Sequence, residues 1–236
     1  MNLKQIRDEC WDIARETSEM DSDRLWSLNE MNAYINRIYR DIARTTKIII
    51  DSTTVSTCQI TLSSATPIFA LSPLILSVHD CYYCATQTSV PISKKLIYVP
   101  VICLGVDPML ITLHATPTYY SLDNATGNIT FDTIPLSADV TPLLKLRVSR
   151  LPLLDLIEDI DIPEFLVKYH DYFKYGVLWL MYSKQDSEAY DLAKASDFYQ
   201  MYQLDIAKLV DNNSYTRNTY GHKQGSQPIQ KSNGEQ

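Results

Sequence analysis

The side chains best suited to chemistry lie at His79-Asp80-Cys81-Tyr82-Tyr83-Cys84, with Cys58 and Cys103 elsewhere. A structural zinc site needs four ligands held tetrahedrally. The residues around this cluster have strand character, however, and on a strand positions 81 and 84 point to opposite faces. Burial as small hydrophobes is the more ordinary role for such cysteines. A second cluster, Asp155, Glu158, Asp159 and Asp161, offers oxygen ligands for calcium. It lacks the glycine and alternating spacing of an EF-hand loop, whereas acids ahead of a helix are favoured by its dipole. His170 falls on the polar side of a helical pattern, as a surface or interface histidine, and no nucleophile is near it in sequence. His114 sits in a strand-like run. There is no Gly-rich phosphate loop and no Gly-x-Ser-x-Gly elbow, and 6 glycines leave little room for either. The residues thus predict no catalytic site, no metal and no cofactor.

What remains is charge. Arg37, Arg40, Arg44 and Lys47 recur at helical spacing. Three roles suit such a row: a solvated face, pairing with acids of a neighbouring subunit, or contact with DNA. The net charge is −7, and the acidity is concentrated centrally. Residues 51–162 hold 10 acidic and 5 basic groups, against 9 and 8 in both 1–50 and 163–236. A protein that grips DNA by its phosphates needs the opposite balance. A negative surface suits solubility, or a wall that DNA slides past without sticking.

At 236 residues, 45% hydrophobic and 21% charged, the chain can bury a sizeable core. It opens without an apolar signal region. Its longest apolar run, Leu96 to Val106, is interrupted by Pro100 and Gly105 and falls short of the ~20 residues that span a bilayer. The 5 irregularly spaced cysteines indicate a reducing compartment rather than a disulfide framework.

The elements that would position these groups follow from periodicity. Leu3, Ile6, Cys10, Ile13 and Thr17 mark a first helix, with Ala14 widening the stripe. Ser27 and Glu30 form a capping box, with Trp26 and Met31 as a hydrophobic staple. The helix they open carries Leu28, Met31, Ile35, Ile38, Ile42 and Thr45 on one face. After Ile48-Ile49-Ile50 and the turn former Asp51-Ser52, the period changes to that of short strands punctuated by prolines. Gly127, within Asn124 to Asn128, predicts a hairpin turn. Helical sequence returns at Pro163-Glu164, a helix start. Two apolar stripes on the helix over 163–183 cover an arc of about 220°, which requires a cover on two sides, from this chain or from a second subunit. Lys184 to Ser187 connect to a last helix ending near Val210, with Leu192, Ala195, Tyr199, Tyr202, Ile206 and Leu209 inward. From Asp211 onward the composition predicts a flexible tail.

Trp26-Ser27-x-x-Glu30-x-x-x-Tyr34-Ile35-Asn36-x-x-x-Arg40-x-Ile42-Ala43-Arg44, followed by Asp51-Ser52-Thr53, resembles the N-terminal helix of phage head-to-tail connector, or adaptor, proteins. The segments ITFDTIPLSADVTPLLKLRVSRLPL and IPEFLVKYHDYFKYGVLWLMYSKQDSEAYDLAKASDFYQMYQ are similar to the close of their middle region and to their C-terminal helix pair. The layout is also similar to the tail-tubular gatekeeper type of short-tailed phages. The resemblance implies a virion protein at the head–tail junction, made in the host bacterial cytoplasm and not in a membrane. It implies a ring, usually of twelve copies, beneath the portal protein, extending the DNA channel and docking tail or nozzle proteins. DNA would pass through the lumen without sequence-specific binding. Tyr34, Arg37, Arg40, Arg44, Tyr172, Tyr175, Trp179 and Tyr182 would then lie at the inter-subunit interface. Tyr215, Arg217 and Tyr220, in the tail, would dock the portal.

The expected fold is α+β: a helical bundle from N-terminal and C-terminal helix pairs, an inserted antiparallel β-sandwich or barrel module, and a flexible C-terminal tail. The expected divisions are 1–50, 51–160, 161–210 and 211–236. A different class of function also fits that architecture, a β-sandwich binding module for carbohydrate or protein on a helical scaffold, with Tyr82, Tyr83, Tyr119 and Tyr120 lining its cleft.

Overall fold

Two capping boxes set the start of the chain. Asn2 accepts the Gln5 N–H while the Gln5 side chain accepts the Asn2 N–H, opening α1 (Leu3–Ala14). Ser27 and Glu30 do the same for α2 (Leu28–Thr46), and Trp26 and Met31 are both buried beside that cap. Such a cap stabilises a helix by about 1 kcal/mol. Both helices end on a residue in the left-handed region, Arg15 at φ 60° and Lys47 at φ 52°. The computed structural model describes residues 1–15, 25–87, 90–104, 111–123, 125–136, 140–185 and 190–220.

The buried face of α1 differs from the expected stripe. Leu3, Ile6, Arg7, Cys10 and Trp11 are buried, whereas Ile13 is exposed; Thr17 lies outside the described residues. Trp11 brings more apolar area than Ile13, so the helix turns its indole inward. Arg7 goes in with it, its guanidinium over the indole ring at 5.4 Å. On α2 the stripe is Met31, Ile35, Ile38, Tyr39, Ile42, Ala43 and Thr46, with Leu28 and Thr45 left outside.

After α2 the chain enters strands. β1 (Ile50–Asp51) is followed by a single helical turn, α3 (Val55–Cys58), and by β2 (Gln59–Thr61), β3 (Ile68–Ala70), the long β4 (Ile75–Gln87), β5 (Val90–Lys95) and β6 (Ile97–Tyr98). Then come β7 (Tyr119–Asp123), β8 (Asn128–Phe131) and β9 (Val140–Arg150). One sheet, wholly antiparallel, runs β1-β9-β4-β5, with β2 also on β9. The other runs β3-β8-β7-β6 and is mixed, because β6 and β7 are parallel. Neither closes into a barrel. The β7–β8 hairpin turns at Gly127, whose φ of +70° is the conformation glycine adopts without cost. Residues from both sheets share one apolar cluster: Cys81, Tyr83, Leu144, Leu146 and Val148 from the first, Phe69, Tyr120, Ile129 and Phe131 from the second.

The return to helix comes later than Pro163. Residues 163–166 are irregular, a 3-10 turn covers Val167–Tyr172, and α4 spans Phe173–Tyr182. Glu164 is drawn away from a helical start. Its carboxylate takes the Leu153 N–H at 2.7 Å and Arg150 at 2.6 Å, and its own N–H donates to the Tyr39 hydroxyl at 2.7 Å. α5 (Leu192–Tyr220) runs well past Val210, into the stretch expected as tail. Extending a helix is cheaper than starting one, and neither Gly nor Pro intervenes before Gly221. Ala195, Tyr202, Ile206 and Leu209 face inward, while Leu192 and Tyr199 are exposed.

Among the described residues, α4 is covered within this chain. It packs against α1, α2 and α5. Phe173, Val177, Leu178, Leu180 and Met181 join Ile6, Met31, Ile38 and Ile206 in one core. The tightest approach is at Gly176, where a Cβ would stand 2.9 Å from Ile38 Cδ1 and 3.0 Å from Tyr202 Cδ2. The α+β class is therefore built on two cores, one helical and one between sheets.

Candidate assembly surfaces

Where the chain passes between helices and strands, three charged side chains meet. Asp51 ends the outward crossing and Arg150 begins the return. Arg150 Nε donates to Asp51 Oδ2 at 2.6 Å, and its Nη2 lies 2.6 Å from Glu164 Oε2. Arg150 Nη1 donates to the Leu151 carbonyl at 3.0 Å. Asp51 Oδ1 accepts the N–H groups of Thr53 and Thr54 at 2.8 and 3.2 Å. Burial opposes ionisation of Asp51, but bonds from Thr54, Thr53 and Arg150 outweigh it and hold the carboxyl well below the usual range. Beside this, the Ser149 hydroxyl donates to the Lys47 carbonyl at 3.1 Å and lies 2.6 Å from His79 Nε2. A hydroxyl whose proton is so committed accepts from the imidazole.

The segment after Arg150 is irregular yet tightly held. The Asn36 side chain treats Leu156 as a strand partner: Oδ1 accepts its N–H and Nδ2 donates to its carbonyl, both at 2.8 Å. Arg7 pairs with Asp159 at 2.8 Å and Arg40 with Asp155 at 3.0 Å. Asp161 Oδ2 accepts the N–H groups of Ile157 and Glu158, a turn that lowers its pKa. The N–H groups of Leu3 and Lys4 donate to the Asp161 and Asp159 carbonyls. The acidic cluster is thus engaged in ion pairs and a turn. Its aliphatic neighbours Leu154, Ile157, Ile160 and Ile162 remain exposed.

The other chemistry-bearing groups are dispersed. Cys58 and Cys81 are buried, Cys84 is partly so with Sγ 3.7 Å from Ser93 Oγ, and Cys103 is exposed. Burial pushes the Cys58 thiol up to about 11 and Cys81 higher still. Asp80 pairs with Lys95 at 2.5 Å and Arg147 at 3.4 Å. Among the described residues no three His, Cys, Asp or Glu side chains gather as a metal would require. Nor, among them, is any helix long and apolar enough to cross a membrane. His170, expected at a surface or interface, is buried within the chain. Its Nε2 lies 2.9 Å from the Phe165 carbonyl and its Nδ1 2.8 Å from the Met1 ammonium. Those partners require a proton on Nε2 and a lone pair on Nδ1, the neutral ring. The 3-10 turn, rather than a continuous helix, carries the ring inward.

Of the residues expected between subunits, Arg37, Arg40 and Arg44 are exposed and Tyr34 is half-buried. The aromatic row is engaged within the chain. Tyr182 is buried edge-on to Trp26 at 5.6 Å, Trp179 packs on Tyr199 at 4.8 Å, and Tyr175 stacks on Phe198 at 6.3 Å. Tyr172 is half-buried beside Tyr169. Tyr215, Arg217 and Tyr220 lie on the far end of α5, and their side chains fall outside the described residues. The four tyrosines expected along a ligand cleft divide between faces: Tyr83 and Tyr120 are core, while Tyr119 is exposed and Tyr82 half-buried. Strand alternation separates each adjacent pair. The sequence did not reveal Asn36 or Arg150 as anchors. The available signal was a polar residue beside the apolar stripe of α2, and a cation at the end of an apolar strand.

The model of the SU10 adaptor protein family matches residues 1–224. No curated protein matches the chain.

Proposed function

The chain belongs to the SU10 adaptor protein family, a phage head–tail adaptor family, and we propose that it works as a ring of twelve copies between portal and tail. Adaptors of this kind are structural virion components that meet portal and tail proteins. The ring continues the DNA channel, and the chain's net charge of −7 keeps its wall from gripping the passing duplex. The helices act as a bundle that forms the frame, with 51–150 as an inserted two-sheet sandwich and 151–160 packed back on the helices. Tyr34, Arg37, Arg40 and Arg44 lie at the surface between copies with the half-buried Tyr172, Tyr175 and Trp179 nearby, while Tyr182 belongs to the helical core, and Tyr215, Arg217 and Tyr220 reach the portal.

The observation that carries this proposal is the family match across residues 1–224. The exposed aliphatic surface on the well-anchored segment 153–162 supports it, since contiguous patches of that kind mark partner sites. The test is electron microscopy of the full chain mixed with its portal protein. A closed ring of twelve on the portal is the expected result; a single copy per portal subunit without lateral contact sinks the proposal. Removing residues 212–236 leaves the fold intact and abolishes incorporation into the particle; an unfolded truncation counts against that role for the C-terminal segment.

A further inference from the structure

Two exposed surfaces of this chain are complementary in both hydropathy and charge. The first is the segment 153–162. Leu154 is 80% exposed, Ile157 71%, Ile160 78% and Ile162 62%. Among them stand four acids: Asp155 and Asp159 are paired with Arg40 and Arg7, Asp161 closes a turn, and Glu158 is exposed, so the surface keeps a net negative charge. The Asn36 clamp and the Arg7–Asp159 pair hold this surface in place before any partner arrives. Its ordering cost is therefore already met within the fold.

The second surface is the edge of the mixed sheet. β6 is an edge strand, and Ile97 and Tyr98 on it are each 54% exposed. Ile102, just beyond, is 89% exposed. Lys94 and Lys95 lead into this strand, and residues 93–104 contain no acid. Lys94 is held by the Thr118 hydroxyl, whereas Lys95 is paired with Asp80. Exposed edges with apolar side chains seek a partner.

We infer that the acidic aliphatic surface at 153–162 of one copy seats on the basic apolar edge at 94–102 of the next. The inference rests on the ring proposed above and specifies how its copies touch. The two patches are different surfaces, so the contact is head-to-tail, the type that closes into rings by rotation. Opposite charge sets the register, and aliphatic burial supplies the affinity. The partner is a second copy because each patch offers what the other lacks.

The test uses full-length chain, an equal mixture of unlabelled and nitrogen-15-labelled copies, assembled on the portal protein. A carbodiimide then joins carboxylates to lysine amines, and mass spectrometry reads the isotope of each half. Asp80 with Lys95, 2.5 Å apart within one chain, gives a same-isotope link as internal standard. The expected result is mixed-isotope links from Glu158 to Lys94, because Asp155 is paired with Arg40 and Lys95 with Asp80 inside each copy. Rings whose mixed links join other surfaces overturn the pairing and leave the ring standing. A chain that never gathers laterally on the portal overturns the ring, and the pairing with it. Independently, Ile157→Ser with Ile160→Ser, or Ile97→Ser with Ile102→Ser, leaves the melting temperature of the free chain unchanged and lowers ring yield about ten-fold or more. Unchanged ring yield from either pair overturns the inference.

Discussion

Arg150 and Asp51 lie 99 residues apart in sequence, yet their side chains meet at 2.6 Å, with the same guanidinium reaching Glu164. Both crossings between helices and strands are tied by one cation. Removing one member of a buried ion pair leaves an uncompensated charge, at a cost of about 3–5 kcal/mol. Arg150→Met is expected to lose stability on that scale, read by urea denaturation. Asp51→Asn on the Arg150→Met background is expected to recover part of the loss, because the orphaned carboxylate is then gone. A cost for Arg150→Met near that of a surface substitution would mean the pair is ornamental.

Asn36 is expected to be the anchor of the segment 153–162. In Asn36→Ala the Leu156 N–H and carbonyl lose their partners, which costs about 1–3 kcal/mol when such groups stay buried. Hydrogen exchange checks this locally: the Leu156 amide becomes faster-exchanging while amides of β4 and β9 keep their protection. Unchanged exchange at Leu156 would show that α2 does not hold the segment.

Gly176→Ala pits two effects against each other. Alanine improves helix propensity by roughly 1 kcal/mol. Its Cβ would also meet the Ile38 Cγ2 and the Tyr202 ring, each at 3.0 Å, and overpacking of that kind costs about 1–3 kcal/mol. Ile38 lies on α2 and Tyr202 on α5, so relief at one helix crowds the other. The expected result is a net fall in stability, seen as a lower denaturation midpoint; a rise would mean that the three helices separate easily.

His170 makes stability depend on pH. Burial, aided by the Met1 ammonium and opposed by the Phe165 carbonyl, holds its pKa below the ordinary 6.5. Over the window below 6.5 the unfolded chain binds a proton that the folded chain refuses, so stability falls as pH drops toward the folded pKa. His170→Gln is expected to flatten that part of the profile of melting temperature against pH. A profile unaltered by the substitution would show that the ring titrates as freely folded as unfolded.

Much of the fold was legible because it rests on local chemistry. Ser27 with Glu30, Trp26 with Met31, and the Gly127 turn each declare themselves within a few residues. The late start of α4 was hidden, because Pro163-Glu164 is a sound helix opening until Arg150 claims the carboxylate. His170 was misplaced for the same reason: a continuous helix puts it on the polar face, and the 3-10 turn rotates it inward. In the family motif, Asn36 was visible without a role, Arg40 was expected between subunits and Asp51 as a turn former. Their partners Leu156, Asp155 and Arg150 lie about a hundred residues on, and periodicity carries no information about pairs so distant.

Ile50 pairs with Ser149 across the β1–β9 ladder. The excursion therefore departs and comes home at points separated by one strand spacing, about 4.8 Å. To the helices, everything between those points occupies the footprint of a tight hairpin loop. Loops in the intervening sequence can lengthen while the frame keeps its shape, so long as the neck and the edge at 94–102 are preserved.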